Sequence, residues 1–243
     1  MKAIPALSTV TQADLDGALT GAFAPFSGRL RRDPDPAACT LQELGHSGAL
    51  ADALATFADA HPGCERPAIA SLWSAYFFAS LIAPALAAGA RLGRDLPLGS
   101  LHPAPATGLP ATVHLAQEFA WPASLPAQVD RLLAESVAPV ICSLRAETGL
   151  SARLLWENAG GHLFWTLSEI RRENPDHAGE VTEALRALRW PREACSALTL
   201  MRADAVAGCE PPRRRVCCLR HGLPGSSHCE GICPLLRRAG ESG

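Results

Sequence analysis

A chain of 243 residues can bury a full hydrophobic core without a metal or disulfides, and suits one domain or one domain with a short appendage. Apolar residues make up 48% and charged residues 19%, which excludes a disordered chain. The formal net charge of −2 argues neither for nor against a nucleic-acid partner, and none is expected.

Taken in order, Met1–Leu7 lack the long apolar run of a secretory signal and Asp14 and Asp16 follow soon after, so export is not expected. Thr11 followed by Asp14 predicts a helix start, with Leu15, Ala18, Leu19 and Ala22 inward up to a turn over Pro25–Gly28. A second helix is predicted from Thr40 to Ala60, with Leu41, Leu44, Leu50, Leu54 and Phe57 inward and His61-Pro62-Gly63 closing it. A third runs from Pro67 to Ala88, with Gly89 as its stop. No charge occurs between Pro67 and Ala90, so this stretch could span a bilayer. Pro84 and the serines spaced through it favour a buried core helix instead, with membrane contact as the alternative.

Residues 91–126 are rich in Pro and Gly and predict irregular structure with one or two short strands, one of them at Ala111–Ala116. Helical periodicity returns at Pro126–Glu147, at Ser151–Arg172 with Ser151 as N-cap, and at Ala178–Trp190 after the turn Asn174-Pro175-Asp176. The fold class expected is mainly α (α+β), a helical body with a small β component. Pro211-Pro212 marks a boundary, dividing the chain into a body of residues 1–208 and a C-terminal segment of residues 209–243.

That segment carries the chemistry. Cys217, Cys218, Cys229 and Cys233 form C-C-x10-C-x3-C, four of nine cysteines within seventeen residues, in surroundings too polar to bury them as core. In a cytosol that keeps thiols reduced, such a cluster reads as a ligand set. Adjacent cysteines in an extended chain point to opposite sides, which suits a two-iron cluster better than one Zn ion. Structural Zn, and a redox disulfide or unligated thiols, are the alternatives.

Residues 213–243 hold six Arg (213, 214, 215, 220, 237 and 238) against Glu230 and Glu241. The tail is therefore at +4 and the rest of the chain at −6. Such a tail would favour the reduced form of an anionic cluster, and the Gly222–Ser227 loop offers N–H groups to the sulfurs. His221 and His228 read as neighbours of the site rather than replacements for a thiolate. Cys39, Cys64, Cys142 and Cys195 are expected as small buried hydrophobes, with Cys209 as the spare ligand.

The tail resembles that of FhuF-type ferric-siderophore reductases, whose members end in two adjacent cysteines, ten residues and a second close cysteine pair holding a [2Fe–2S] cluster. Leu72-Trp73-Ser74-Ala75-Tyr76 leading into Leu81–Pro84, and Leu155-Trp156-Glu157-Asn158 followed by Trp165, are similar to the family as well. The last pair departs from its C-x2-C spacing by one residue, within Glu230-Gly231-Ile232. The resemblance implies a [2Fe–2S] cofactor on the four cysteines and one-electron reduction of a ferric siderophore in the cytosol. It further implies a ferredoxin or flavoprotein reductase as electron donor, and peripheral contact with the inner face of the membrane is compatible with it. Hard hydroxamate or catecholate oxygens hold Fe(III) far more tightly than Fe(II), so one electron makes the chelate labile. Each tenfold gap in those affinities lowers the chelate's potential by about 59 mV.

Arg215, Arg220, Trp73, Tyr76 and Asn158 are the candidate substrate residues, with Trp156 and Trp165 beside them; core packing is the reading preferred for the aromatic ones. A mobile basic tail would attract anionic chelates or an acidic donor. A Zn-stabilised binding module and a pure electron carrier are the competing functions.

Overall fold

The computed structural model describes residues 8–33, 35–46, 48–116, 119–187, 214–226, 228–229 and 233–235. The charge-free stretch forms the central helix. Among the described residues the α-helices are α1 (Gln12–Ala18), α2 (Ala49–Asp59), α3 (Arg66–Leu92), α4 (Leu125–Arg131), α5 (Ala138–Thr148), α6 (Ala152–Glu173) and α7 (Ala178–Ala187).

By length and composition α3 could cross a membrane, yet 78% of its most apolar stretch is covered by the rest of the fold. Trp73, Phe77, Phe78, Leu81 and Ile82 have no exposed surface. Each such side chain contributes about 1.5–3 kcal/mol by leaving water. α6 packs along α3. Asn158 bonds Ser71 and Ser74 near one end, and Glu173 pairs with Arg91 near the other, so the two helices run parallel and begin at the same end of the molecule.

Helix boundaries differ from those expected in four places. α1 stops at Ala18, and a 3-10 turn covers Gly21–Phe26. α3 runs through Gly89, where a Cβ would come within 2.4 Å of Gln128 Oε1 and 2.8 Å of the Arg94 carbonyl oxygen. It ends at Gly93, whose φ of 61° is left-handed. Gly89 therefore serves a close approach between elements, and Gly93 is the stop. α2 starts at Ala49 rather than Thr40, because Gly48 takes a φ of 76° and Gly45 is pressed against Ser143. The predicted helix over Pro126–Glu147 is α4 and α5 joined by a π turn at Leu132–Val137. Pro139 has no N–H to return to Glu135, and the helix widens just ahead of it.

The strands are β1 (Ser8–Thr9), β2 (Leu30–Arg31), β3 (Cys39–Thr40), β4 (Arg94–Asp95), β5 (Leu98–Pro103), β6 (Pro110–Leu115) and β7 (Phe119–Pro122). They form one sheet of order β2-β6-β5-β3 and another of order β1-β7-β4. The Pro-rich region thus holds four strands instead of one or two. Three of its prolines (Pro103, Pro110 and Pro122) fall at strand ends, where no ladder hydrogen bond is lost, and the others lie outside the strands. The fold is mainly helical with a small β component.

The caps expected at Thr11 and Ser151 are present. Thr11 and Asp14 form a capping box, and Ser151 Oγ accepts from Leu154 N at 3.2 Å. The expected boundary at residues 208 and 209, the end of the helix to Trp190, and Cys195, Cys209 and Pro211-Pro212 lie outside the described residues.

Candidate functional site

The cysteine segment is seated on the starting turns of α3 and α6 by buried polar groups from both. Glu157, fully buried in α6, accepts from the backbone N–H groups of Arg215 and Val216 at 3.2 and 3.1 Å through Oε2. The same oxygen lies 3.7 Å from Arg214 Nε, while Oε1 has no hydrogen-bond partner. Asn158, the next residue, accepts from Arg214 Nη2 at 2.6 Å and donates to Ser74 Oγ at 2.8 Å and to the Ser71 carbonyl at 3.0 Å. Arg can only donate, so this network sets which end of the Asn158 amide is oxygen. Ser71 Oγ donates to the Cys218 carbonyl at 2.7 Å. An unbroken run of hydrogen bonds thus joins α6, α3 and the first cysteine pair.

Apolar contacts reinforce this seat. Leu223 is buried in the main core, and Val216 and Leu219 pack against it. Leu219 is the one non-glycine residue with positive φ among those described, at 60°. An L-residue pays about 1–2 kcal/mol for that conformation. Here it turns the Leu219 N–H onto Cys217 Sγ at 3.3 Å. The described part of the tail is thus pinned to the body rather than held by charge alone.

Cys218 and Cys229 bring their sulfurs to 3.7 Å. Two thiolates bound at about 2.3 Å to one tetrahedral metal stand about 3.8 Å apart. Burial, followed by the adjacent Cys218 and Cys233 thiols, pushes the Cys229 thiol up to about 12. A thiol kept protonated by burial and neighbouring sulfurs is one that a nearby cationic centre would deprotonate, so the donors present suit a thiolate-bound metal group. Cys233 is buried, whereas Cys217, Cys218 and Cys229 are half-buried. Cys217 Sγ faces His221 Nδ1 at 3.4 Å, and the His221 ring stacks on His228 with centroids 5.4 Å apart.

The structure divides the other candidates. Arg215 and Arg220 are exposed beside the cysteines. Trp73 is fully buried, stacked on Phe77 and donating to the Gly108 carbonyl at 3.3 Å; Trp156 is buried as well. Asn158 is 2% exposed and committed to the network above. Neither Trp73 nor Asn158 is open to a ligand. Tyr76 is 47% exposed, next to Phe57, and Trp165 is 37% exposed, against Phe23 and Phe26.

Of the isolated cysteines, Cys142 is exposed on the outer side of α5 and Cys39 and Cys64 are half-buried, where all had been expected inside. α5 buries Val140, Ile141 and Leu144, and Cys142 falls outside that stripe. Arg213, Arg237, Arg238, Ser227 and Glu230–Ile232 lie outside the described residues.

Sequence reading missed Glu157 and Ser71. An acidic residue inside the apolar stretch of α6 was the available signal, because such a group is seldom fully buried without a partner. His162, half-buried on the same helix, has its pKa drawn down to about 4, by burial first and then by the charge of Arg214.

The profile of a family described as "Ferric iron reductase FhuF-like transporter" matches residues 71–206. The match takes in Ser71, Ser74, Glu157 and Asn158 and stops before Cys217. A search of curated proteins finds no match.

Proposed function

The chain belongs to the FhuF-like ferric iron reductase family, and from that membership we propose that it reduces ferric siderophores in the cytosol, with Cys217, Cys218, Cys229 and Cys233 as ligands of a [2Fe–2S] cluster. In this reading residues 209–243 are the cluster-binding segment and residues 1–208 the body that carries it. The observation that supports it best is the 3.7 Å between the sulfurs of Cys218 and Cys229, with Cys233 beside them. When bound, the cluster supplies electrons one at a time.

The chain's own residues define the setting. Half-burial of three cysteines leaves the centre open to a partner on one side, while Leu223 and Cys233 close the other. The Leu219 N–H aimed at Cys217 Sγ stabilises negative charge on that sulfur. Exposed Arg215 and Arg220 draw in an anionic chelate or an acidic electron donor, for which a ferredoxin or flavoprotein reductase is the proposed class. Tyr76 and Trp165 are the exposed aromatic candidates for the chelate among the described residues. Glu157, Asn158 and Ser71 act as positioning residues, since they hold the backbone of the first cysteine pair without being open to substrate.

One electron delivered to a ferric hydroxamate weakens the hold of its hard oxygen ligands, and the iron leaves as Fe(II). The test is anaerobic mixing of dithionite-reduced protein with ferric hydroxamates and an Fe(II) trap. Reoxidation of the protein with matching Fe(II) release is expected. If no chelate reoxidises it, the chain is a carrier without its own substrate. A colourless protein with one Zn per chain would make it a binding module.

A further inference from the structure

A second group of metal-ligand side chains, separate from the four C-terminal cysteines, stands on the four-stranded sheet, on the face away from Leu101 and Val113. Leu101 and Val113 are register partners on β5 and β6 and face the core, 2% and 1% exposed. Strand alternation sends Ser100, His102, Thr112 and His114 to the other face. His102 pairs with Thr112, so His114 is its diagonal neighbour, and the two rings meet edge to face with centroids 5.4 Å apart. Asp35 enters from the loop between β2 and β3 and places Oδ2 2.9 Å from His102 Nε2. One ligand atom from each of the three lies within 4.8 Å of the other two.

Two of these ligands are held from behind. His114 Nδ1 donates to the Asp33 carbonyl at 2.7 Å. A carbonyl can only accept, so Nδ1 carries a proton and Nε2 is the nitrogen left to face an ion, with Thr112 Oγ1 3.3 Å away as the contact that ion would displace. Asp35 Oδ1 accepts from Ala37 N at 2.8 Å, leaving Oδ2 to face the imidazoles. That hydrogen bond first, then His102, holds the Asp35 carboxyl below its ordinary pKa. His114 is buried, while the His102 and Asp35 side chains are 35% and 40% exposed, so the group is anchored on one side and open on the other. The 2.9 Å between His102 and Asp35 also suits two adjacent ligands at about 2.1 Å from one ion, which stand about 3 Å apart in an octahedron.

We propose that Asp35, His102 and His114 bind a divalent first-row transition ion through two imidazoles and one carboxylate, with the other coordination positions open to water. The occupant assigned is Fe(II), and this assignment rests on the function proposed above. Reduction converts iron from an ion that prefers oxygen donors to one that imidazole holds well, so the site would receive the ion as the chelate releases it. The two sites are separable. The β5–β6 hairpin reaches α3 through Trp73, and the cysteine segment through Ser71, two residues earlier. Two residues are about 200° of helical rotation, nearly opposite faces of α3.

The test is equilibrium dialysis of the full-length, anaerobically isolated protein against Co(II), as a spectroscopic stand-in, and separately against Fe(II). Wild type, Asp35→Asn and His102→Ala are compared, with thermal unfolding run alongside. One ion per chain is expected to bind wild type beyond the metal at the cysteines. Each variant should weaken that binding at least about tenfold while leaving the cysteine-site spectrum and the melting temperature unchanged. Equal uptake by all three proteins, or none by folded wild type, overturns the site and leaves His102–Asp35 as a surface ion pair. Co(II) binding needs no reductase activity. A chain that binds Co(II) at these residues but reduces no chelate keeps the site and loses only Fe(II) as its occupant.

Discussion

Arg214 Nη2 donates to Asn158 Oδ1 at 2.6 Å, although 56 residues separate the two in the chain. The bond joins the approach to the cysteines to the starting turns of the helical pair α3 and α6. With Glu157 on the following two amides, it sets where the cysteine segment lies.

Asn158→Ala removes one partner each from the Ser74 hydroxyl, the Ser71 carbonyl and the Arg214 guanidinium, and leaves a gap where three buried hydrogen bonds met. A stability loss of about 2–4 kcal/mol is expected, read as a lower urea midpoint. Glu157→Ala strips the carboxylate from two backbone amides and from Arg214, and should destabilise by about 3–5 kcal/mol. Both variants should also speed proteolysis of the C-terminal segment. Wild-type cleavage rates would show that this network does not hold the tail.

Cys217→Ser, Cys218→Ser, Cys229→Ser and Cys233→Ser should each abolish the visible spectrum of the purified protein. Cys64→Ser and Cys142→Ser should retain it, because neither is among the four proposed ligands; one is half-buried and one exposed. Bleaching in both groups would mean the ligands are assigned wrongly.

His162 gives the acid stability a definite sign. The unfolded chain takes up a proton near pH 6.5, which the folded chain refuses until about pH 4. This contribution is whole above the unfolded pKa and is lost as pH falls through that window, at about 1.4 kcal/mol per pH unit. His162→Gln should flatten the decline in urea midpoint between pH 6.5 and 4. Parallel profiles for the two proteins would assign the acid sensitivity elsewhere.

Gly89→Ala tests the reassigned role of that glycine. The added methyl meets Gln128 Oε1 and the Arg94 carbonyl, so a loss of about 1–3 kcal/mol is expected, against a small gain if the position were ordinary helix interior. Urea titration distinguishes the signs.

The sequence displays α3 and the cysteine spacing because each depends on neighbours in the chain: a charge-free run in one case, a close set of sulfurs in the other. Asn158, a candidate substrate residue by sequence, is a buried anchor rather than a pocket wall. The functions of Glu157 and Ser71 were hidden, since their partners lie 58 and 147 residues away. The pairing of His102 and His114 was equally hidden, because it follows from a strand register that the Pro-rich composition obscured. Gly89 and Gly93 are alike in local pattern, and only the approach of Gln128 separates their roles.

Iron and acid-labile sulfide, measured on freshly and anaerobically purified protein, test the central claim most directly. Two sulfides per chain with two irons that leave with them on Cys229→Ser, any iron at Asp35, His102 and His114 having first been removed by a chelator, are what four thiolates around a two-iron centre require. Protein that folds normally yet carries neither iron nor sulfide would contradict it.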